Sequence, residues 1–123
     1  VLDSGALIAL ERDDRDVWRT FRNARAAGRE PTTHGGIVGQ VWRRGGPRQA
    51  RLAVALAAIA VRPLDDTLGR EAGRLLSQAG GSDVIDAAVV LLAENDDVIL
   101  TSDPDDLDPL IETLGRSVEL VVV

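Results

Sequence analysis

The sequence contains no cysteine. That excludes disulfides, thiol nucleophiles and Cys-ligated zinc or iron–sulfur centres. It contains no lysine either, since all 14 basic residues are arginine. Schiff-base chemistry, a phosphate-binding Walker lysine and any mechanism needing a depressed lysine pKa are excluded with it. His34 is the only histidine, so one chain cannot assemble a multi-histidine metal centre. There is no tyrosine, and the aromatic residues are Trp18, Phe21 and Trp42 alone, too few for a base-stacking platform built on aromatic rows. Carboxylates, hydroxyls, amides and arginines remain for chemistry.

Long apolar runs are also lacking. The longest stretch, Leu52 to Val61, is Ala-rich and short of the roughly 18–20 residues that span a bilayer. No signal peptide is visible, so a cytoplasmic location without membrane association is expected. The chain starts Val-Leu-Asp without Met, and a few preceding residues are expected to be missing. The 123 residues suit a single domain, 1–123, and 45% hydrophobic content is enough for a buried core.

The formal charge of −6 is unevenly placed. Arg12 to Arg51 holds 10 arginines against 4 acids, whereas Asp83 to Val123 holds 11 acids against Arg116 alone. A metal-dependent enzyme acting on a polyanion can use both halves, with carboxylates for the cation and arginines for phosphates. Two solvated helix faces give the same pattern.

Apolar spacing predicts helices over Ser4 to Glu11, Asp14 to Ala27, Gly36 to Arg44, Pro47 to Ala58, Asp65 to Ala79, Asp83 to Asn95 and Pro104 to Leu114. Gly45-Gly46 closes the third of these, and Pro47 fits the first position of the fourth. The segment from Asp83 is apolar on nearly every side, as in a buried helix. Val1-Leu2 reads as the tail of a short strand, and strands are expected at Glu30 to Thr33, Ile59 to Arg62, Val98 to Thr101 and Val118 to Val123. Apolar strands separated by helices argue for an α/β fold in which a parallel sheet is covered on both faces.

In such a sheet, sites form at the carboxyl ends of strands. Asp3 and Asp103 fall there, and Asp86 shares a helix face with Asp83, three residues before it. Asp3, Asp86 and Asp103 can converge, with Asp83 or Asp106 close by. Clustered carboxylates repel and raise one another's pKa unless a cation neutralises them. Oxygen ligands of this kind suit Mg²⁺ or Mn²⁺, and such a centre can activate water against a phosphodiester. The competing explanation is capping: Asp at a strand–helix junction is a standard N-cap, Asp103-Pro104 has the right form for one, and Asp83 with Asp86 resembles a capping box.

Val1-Leu2-Asp3-Ser4-Gly5-Ala6-Leu7-Ile8-Ala9-Leu10 resembles the opening of a PIN domain, as in VapC-type toxin ribonucleases. Asp83-Val84-Ile85-Asp86-Ala87-Ala88 resembles the start of that family's Asp-Ala helix, and Thr101-Ser102-Asp103-Pro104-Asp105-Asp106-Leu107 its late strand-end motif. Gly36 to Arg43 is similar to the segment that carries the family's second acidic residue, and Gln40 stands at that acid's place. The order of these stretches agrees over essentially the whole chain. The resemblance implies a three-layer α/β/α fold with a central parallel sheet and an acidic pocket that cleaves RNA. It implies Mg²⁺ or Mn²⁺ held by Asp3, Asp86 and Asp103, with Thr101 or Ser102 orienting them. A cognate antitoxin and a homodimer are the implied protein partners.

Gln40 departs from the pattern. Glutamine keeps the shape of glutamate but carries no charge and cannot act as a base. At about 4 Å and an effective dielectric near 20, one unit-charge pair is worth about 4 kcal/mol, so a second metal position is expected to be weak or lost. Asp106 or Asp83 can compensate in part. A catalytically inactive PIN-like module that holds RNA or protein therefore stands beside the nuclease. A phosphotransfer receiver domain is a third reading, opposed by the missing lysine.

Among the remaining residues, Arg43, Arg44, Arg48 and Arg51 flank a Gly-Gly turn and suit either RNA phosphates or a solvated rim. Thr32-Thr33-His34 can reach the pocket, but a lone histidine is more often a surface or hydrogen-bonded residue, which is the expectation here. Trp18 and Phe21 should pack between helices, and Trp42 beneath Gln40. Ala53, Leu56 and Ile59 are candidates for an apolar patch that a partner covers.

Overall fold

Acids and prolines set where six of the seven helices of this chain begin; His34 caps the other. In the computed structural model, which describes residues 1–123, Asp3 precedes α1 (Ser4–Glu11) and Asp14 precedes α2 (Arg15–Ala26). The Asp14 carboxylate accepts from the Asp16 and Val17 amides, satisfying two otherwise orphaned donors. After β1 (Thr32–His34) come α3 (Gly35–Val41) and α4 (Pro47–Leu56), the latter with Pro47 in its first turn. Beyond β2 (Ala60–Arg62), Asp65 caps α5 (Asp66–Ala79), and Gly80 ends it in the left-handed conformation at φ +83°. The rest is α6 (Val84–Leu92), β3 (Val98–Thr101), α7 (Pro104–Leu114) and β4 (Glu119–Val122).

The molecule is therefore α/β, with seven helices and short parallel strands. β1 pairs with β2 from Thr32↔Ala60 to His34↔Arg62, and β3 pairs with β4 from Val98↔Glu119 to Thr101↔Val122. Sequence reading anticipates one sheet; the strands instead form two separate pairs. Residues 1–3 lie between them without counting as a strand. Leu2 makes a single bridge to Leu100, its amide donates to Thr32 O at 2.8 Å, and the Asp3 amide donates to Leu100 O at 3.0 Å.

One cluster of 23 buried apolar residues runs from Leu2 to Ile111. α6 sits deepest: Ala87, Ala88, Val89 and Val90 are fully enclosed, and each valine contributes about 1.5–3 kcal/mol by leaving water. Phe21 is buried and meets the half-buried Trp18 edge-to-face at 5.5 Å, so this pair packs between elements as its spacing implied. No single helix is long and apolar enough to cross a membrane.

Several boundaries differ from those read in the sequence. α6 begins after Asp83 and stops at Leu92, where Ala93 turns extended. α4 ends at Leu56 rather than Ala58. The larger discrepancy is α3, expected to reach Arg44 and ending at Val41. The helical bond from the Arg43 amide to Gly39 O is replaced at both ends. The amide goes to the buried Gln49 Oε1 at 3.0 Å, and the Arg43 guanidinium takes Gly39 O at 2.9 Å. Trp42 thereby leaves the helix in an extended conformation. It does not pack beneath Gln40 but stands 40% exposed.

Candidate functional site

Asp3 lies where the chain leaves the bridge at Leu2 and enters α1. It is only 4% exposed. One carboxylate oxygen accepts from the Ser4 amide at 2.7 Å; the other accepts from the Thr101 hydroxyl at 2.8 Å. Asp3 thus caps its helix and also faces the end of β3. The Thr101 hydroxyl in turn accepts the Asp103 amide at 3.0 Å, so one fully buried side chain ties the two strand-end aspartates together.

Close approach of α1 to β3 depends on Gly5. A Cβ there would stand 2.5 Å from Ser102 Oγ and 2.9 Å from the Ser102 backbone nitrogen. Nothing larger than glycine fits without moving main chain. Sequence reading placed Gly5 inside a motif without assigning it this task. The Val-Leu-Asp-Ser-Gly order, with the glycine one residue inside a helix, was the available signal.

The capping expectation fails for two of the four acids. Asp103 occupies the N-cap position of α7, yet its carboxylate makes no capping bond; it accepts from the Ser102 hydroxyl at 3.0 Å. Pro104 removes one orphan amide, and the Asp106 amide donates to the Asp103 carbonyl oxygen at 3.2 Å. Asp83 does cap α6, accepting from the Ile85 and Asp86 amides at 2.9 and 3.1 Å. Asp86 does not reach back to complete a capping box, and its carboxylate has no hydrogen bond.

Asp86 is half-buried, and its electrostatics report on its neighbours. Burial first, then the charges of Asp83, Asp3, Asp106 and Asp103, push its carboxyl up to about 6. Four acids from three segments of the sequence thus act on one side chain. None of them is paired with an arginine: the ion pairs of the molecule are Arg19–Asp16, Arg62–Glu30 and Arg70–Asp66, all exposed. As placed, no three acidic or histidine side chains form a ligating cage. The donor chemistry nevertheless suits a hard divalent cation, being oxygen only, anionic and without counter-charge.

Asp83, Asp86, Asp105 and Asp106 also line an open cavity of about 390 Å³ between the Gly80-Gly81 turn and α7. Asp3 and Asp103 do not line it. Another cavity of about 390 Å³ lies at the opposite, amino ends of β1 and β3, lined by Phe21, Pro31, Leu92 and Leu100 among others, away from this acidic group.

Gln40 is exposed on the last turn of α3 and hydrogen-bonds to none of the aspartates. Arg43, Arg44 and Arg48 are exposed around a cavity of about 560 Å³ on the loop between α3 and α4. Arg43 is partly engaged there, donating to Gly39 O and Trp42 O, while Arg44 and Arg48 have no ion pair.

His34 is fully enclosed and hydrogen-bonded through both ring nitrogens. Burial, its main perturbation, holds its pKa below the usual histidine value. His34 is thus a hydrogen-bonded residue and not a surface one.

Comparison with known protein families and with characterised proteins found no match to this chain.

Proposed function

We propose that this chain is a PIN-like, Mg²⁺- or Mn²⁺-dependent endoribonuclease, the toxin half of a toxin–antitoxin pair. The observation that carries the reading is Asp86, a half-buried carboxylate with no hydrogen bond and no arginine, pushed up to about 6 by burial and by four other aspartates. Folding brings these acids together against their mutual repulsion, and a bound cation is the simplest way to offset it. The fold reading is supported by the backbone bonds of residues 1–3, which join the β2–β1 and β3–β4 pairs edge to edge. Counted as a strand, that segment gives one parallel sheet with helices to cover it.

In this reading Asp3, Asp86 and Asp103 hold the cation. When bound, a divalent ion acidifies water and offsets charge on a phosphodiester. The Thr101 hydroxyl keeps Asp3 turned toward the end of β3, and Ser102 does the same for Asp103. Asp83 and Asp106 add negative potential that favours a cation. Arg44 and Arg48, exposed on the loop between α3 and α4, attract RNA phosphates. The antitoxin and a second copy of the chain are the expected protein partners, in a cytoplasmic setting.

Gln40 supports a second reading, a PIN-like module that binds RNA or protein without cutting. An exposed amide supplies neither charge nor a base where the related pattern has an acid.

Cleavage of single-stranded RNA with Mn²⁺, in parent and Asp86→Asn protein, tests the nuclease. Cleavage abolished by Asp86→Asn supports it. Intact RNA together with unchanged Mn²⁺ binding in Asp86→Asn overturns it. A large gain on Gln40→Glu supports the second reading instead.

A further inference from the structure

The Ile85–Asp86 peptide unit is held at both ends. Its N–H is taken by Asp83 Oδ1 at 3.1 Å, and its carbonyl oxygen is met by His34 Nε2 at 3.0 Å. The His34 ring has no exposed surface, and its other nitrogen, Nδ1, accepts the Gly36 amide at 3.1 Å. Since Nδ1 accepts, the ring proton is on Nε2, and Nε2 donates to the Ile85 carbonyl. The start of α3 presses on the same point: a Cβ on Gly36 would stand 2.5 Å from Ile85 Cδ1 and 2.9 Å from the His34 ring.

We propose that His34 is a positioning residue for Asp86, fastening the first turn of α6 to the end of β1 and the start of α3 through one buried ring. A helical residue's Cα–Cβ direction follows from the peptides on either side of its Cα. The peptide before Asp86 is fixed by His34 and Asp83, so the direction in which the Asp86 side chain leaves α6 is fixed with it. The ring does this as a neutral group. It adds no charge to the acids, in keeping with the way burial opposes its protonation. The arrangement resembles the supporting hydrogen bonds that orient metal ligands, except that it acts through a backbone carbonyl. Its effect on a metal rests on the nuclease reading above; its effect on Asp86 does not.

Two side-chain replacements separate the two bonds. In His34→Gln the amide nitrogen reaches the Nε2 position and keeps the donor to Ile85 O, while the acceptor for Gly36 is lost. In His34→Asn the side-chain oxygen reaches the Nδ1 position and keeps the acceptor, while the donor to Ile85 O is lost. Carboxyl NMR titration of Asp86 and Mn²⁺ binding are measured on both folded variants. His34→Gln should leave the Asp86 midpoint near its parent value and Mn²⁺ affinity within about threefold. His34→Asn should lower the midpoint by about a unit or more and weaken Mn²⁺ by about tenfold or more, the usual loss when a ligand's support is removed. Equal effects of the two variants on Asp86, or none from either, overturn the proposal. Should neither variant fold, the ring nitrogens of the parent decide: an unprotonated Nδ1 with a protected Nε2–H supports it, and a protonated Nδ1 overturns it. A parent that binds no Mn²⁺ removes the metal reading and leaves the Asp86 titration as the deciding measurement.

Discussion

The Thr101 hydroxyl donates to Asp3 Oδ2 at 2.8 Å across 98 positions of sequence, and accepts the Asp103 amide at 3.0 Å. All three partners sit at the junction of α1, β3 and α7, where the strand ends give way to helices. Thr101→Val keeps the shape but leaves one oxygen of a buried carboxylate and one amide unpaired. The expected cost is about 2–3 kcal/mol, the range for a lost bond to a charged group plus an orphaned donor. Thr101→Ser should recover most of it. Urea unfolding of the three proteins measures both numbers.

Gly5 and Ser102 form a second joint in the same place. Gly5→Ala sets a methyl 2.5 Å from Ser102 Oγ, 2.7 Å from its Cβ and 2.9 Å from its backbone nitrogen. Overpacking of this kind costs about 1–3 kcal/mol. Ser102→Gly on the Gly5→Ala background removes the two side-chain contacts and leaves the backbone one. The double variant should therefore be more stable than additivity allows, by about 0.5 kcal/mol or more. A thermodynamic cycle from denaturant melts reads the coupling.

Asp86 and His34 make stability depend on pH in opposite ways. Asp86, raised to about 6 from an ordinary 3.8, holds a proton in the folded protein at pH values where the unfolded chain has lost it. Its contribution is present below pH about 4 and is lost as pH rises toward about 6. His34 is depressed by burial below 6.5, so its contribution is present above that value and is lost as pH falls below it. Asp86→Asn should remove the first slope, leaving the variant more stable than the parent at pH 7. His34→Gln should remove the second. Thermal melts from pH 4 to 8 show each slope separately. With the carboxylates as cation ligands, Mn²⁺ at pH 7 should raise the parent's melting temperature and leave Asp86→Asn unmoved.

The arginine loop yields a prediction about salt. Arg44 and Arg48 have no carboxylate partner, so each is free for a phosphate. Each replacement by alanine should weaken binding of a short single-stranded RNA and lower the slope of log K against log salt by about 0.7. Fluorescence anisotropy at several salt concentrations, without divalent metal, reads this independently of cleavage. Arg43 should matter less, because its guanidinium is already spent on Gly39 O and Trp42 O.

Local signals accounted for most element positions. Asp14, Asp65 and Asp83 start their helices and Gly80 and Gly115 end theirs, because a side-chain acceptor or a left-handed residue acts within a few positions of the chain. The end of α3 was illegible for the opposite reason. Helical spacing continues past Val41, and the bond that stops it comes from Gln49, a residue on the next helix. The sheet shows the same limit. Val98 to Thr101 reads as a strand from its own residues, whereas the place of Val1 to Asp3 between Thr32 and Leu100 depends on contacts 30 and 98 residues away.

The sequence by itself determined which chemistry is open to this protein, because an inventory without cysteine or lysine and with one histidine leaves carboxylates as the reactive groups wherever they land. It also determined that Asp3, Asp83 and Asp103 stand at helix starts, since a side-chain cap and a proline in the first turn both act locally. Only the tertiary structure decided that the Asp103 carboxylate makes no cap bond and that Asp86 is left without a partner among four other acids. That division follows from range. A cap acts over three residues, but the field at Asp86 is the sum of charges that only the folded chain brings near.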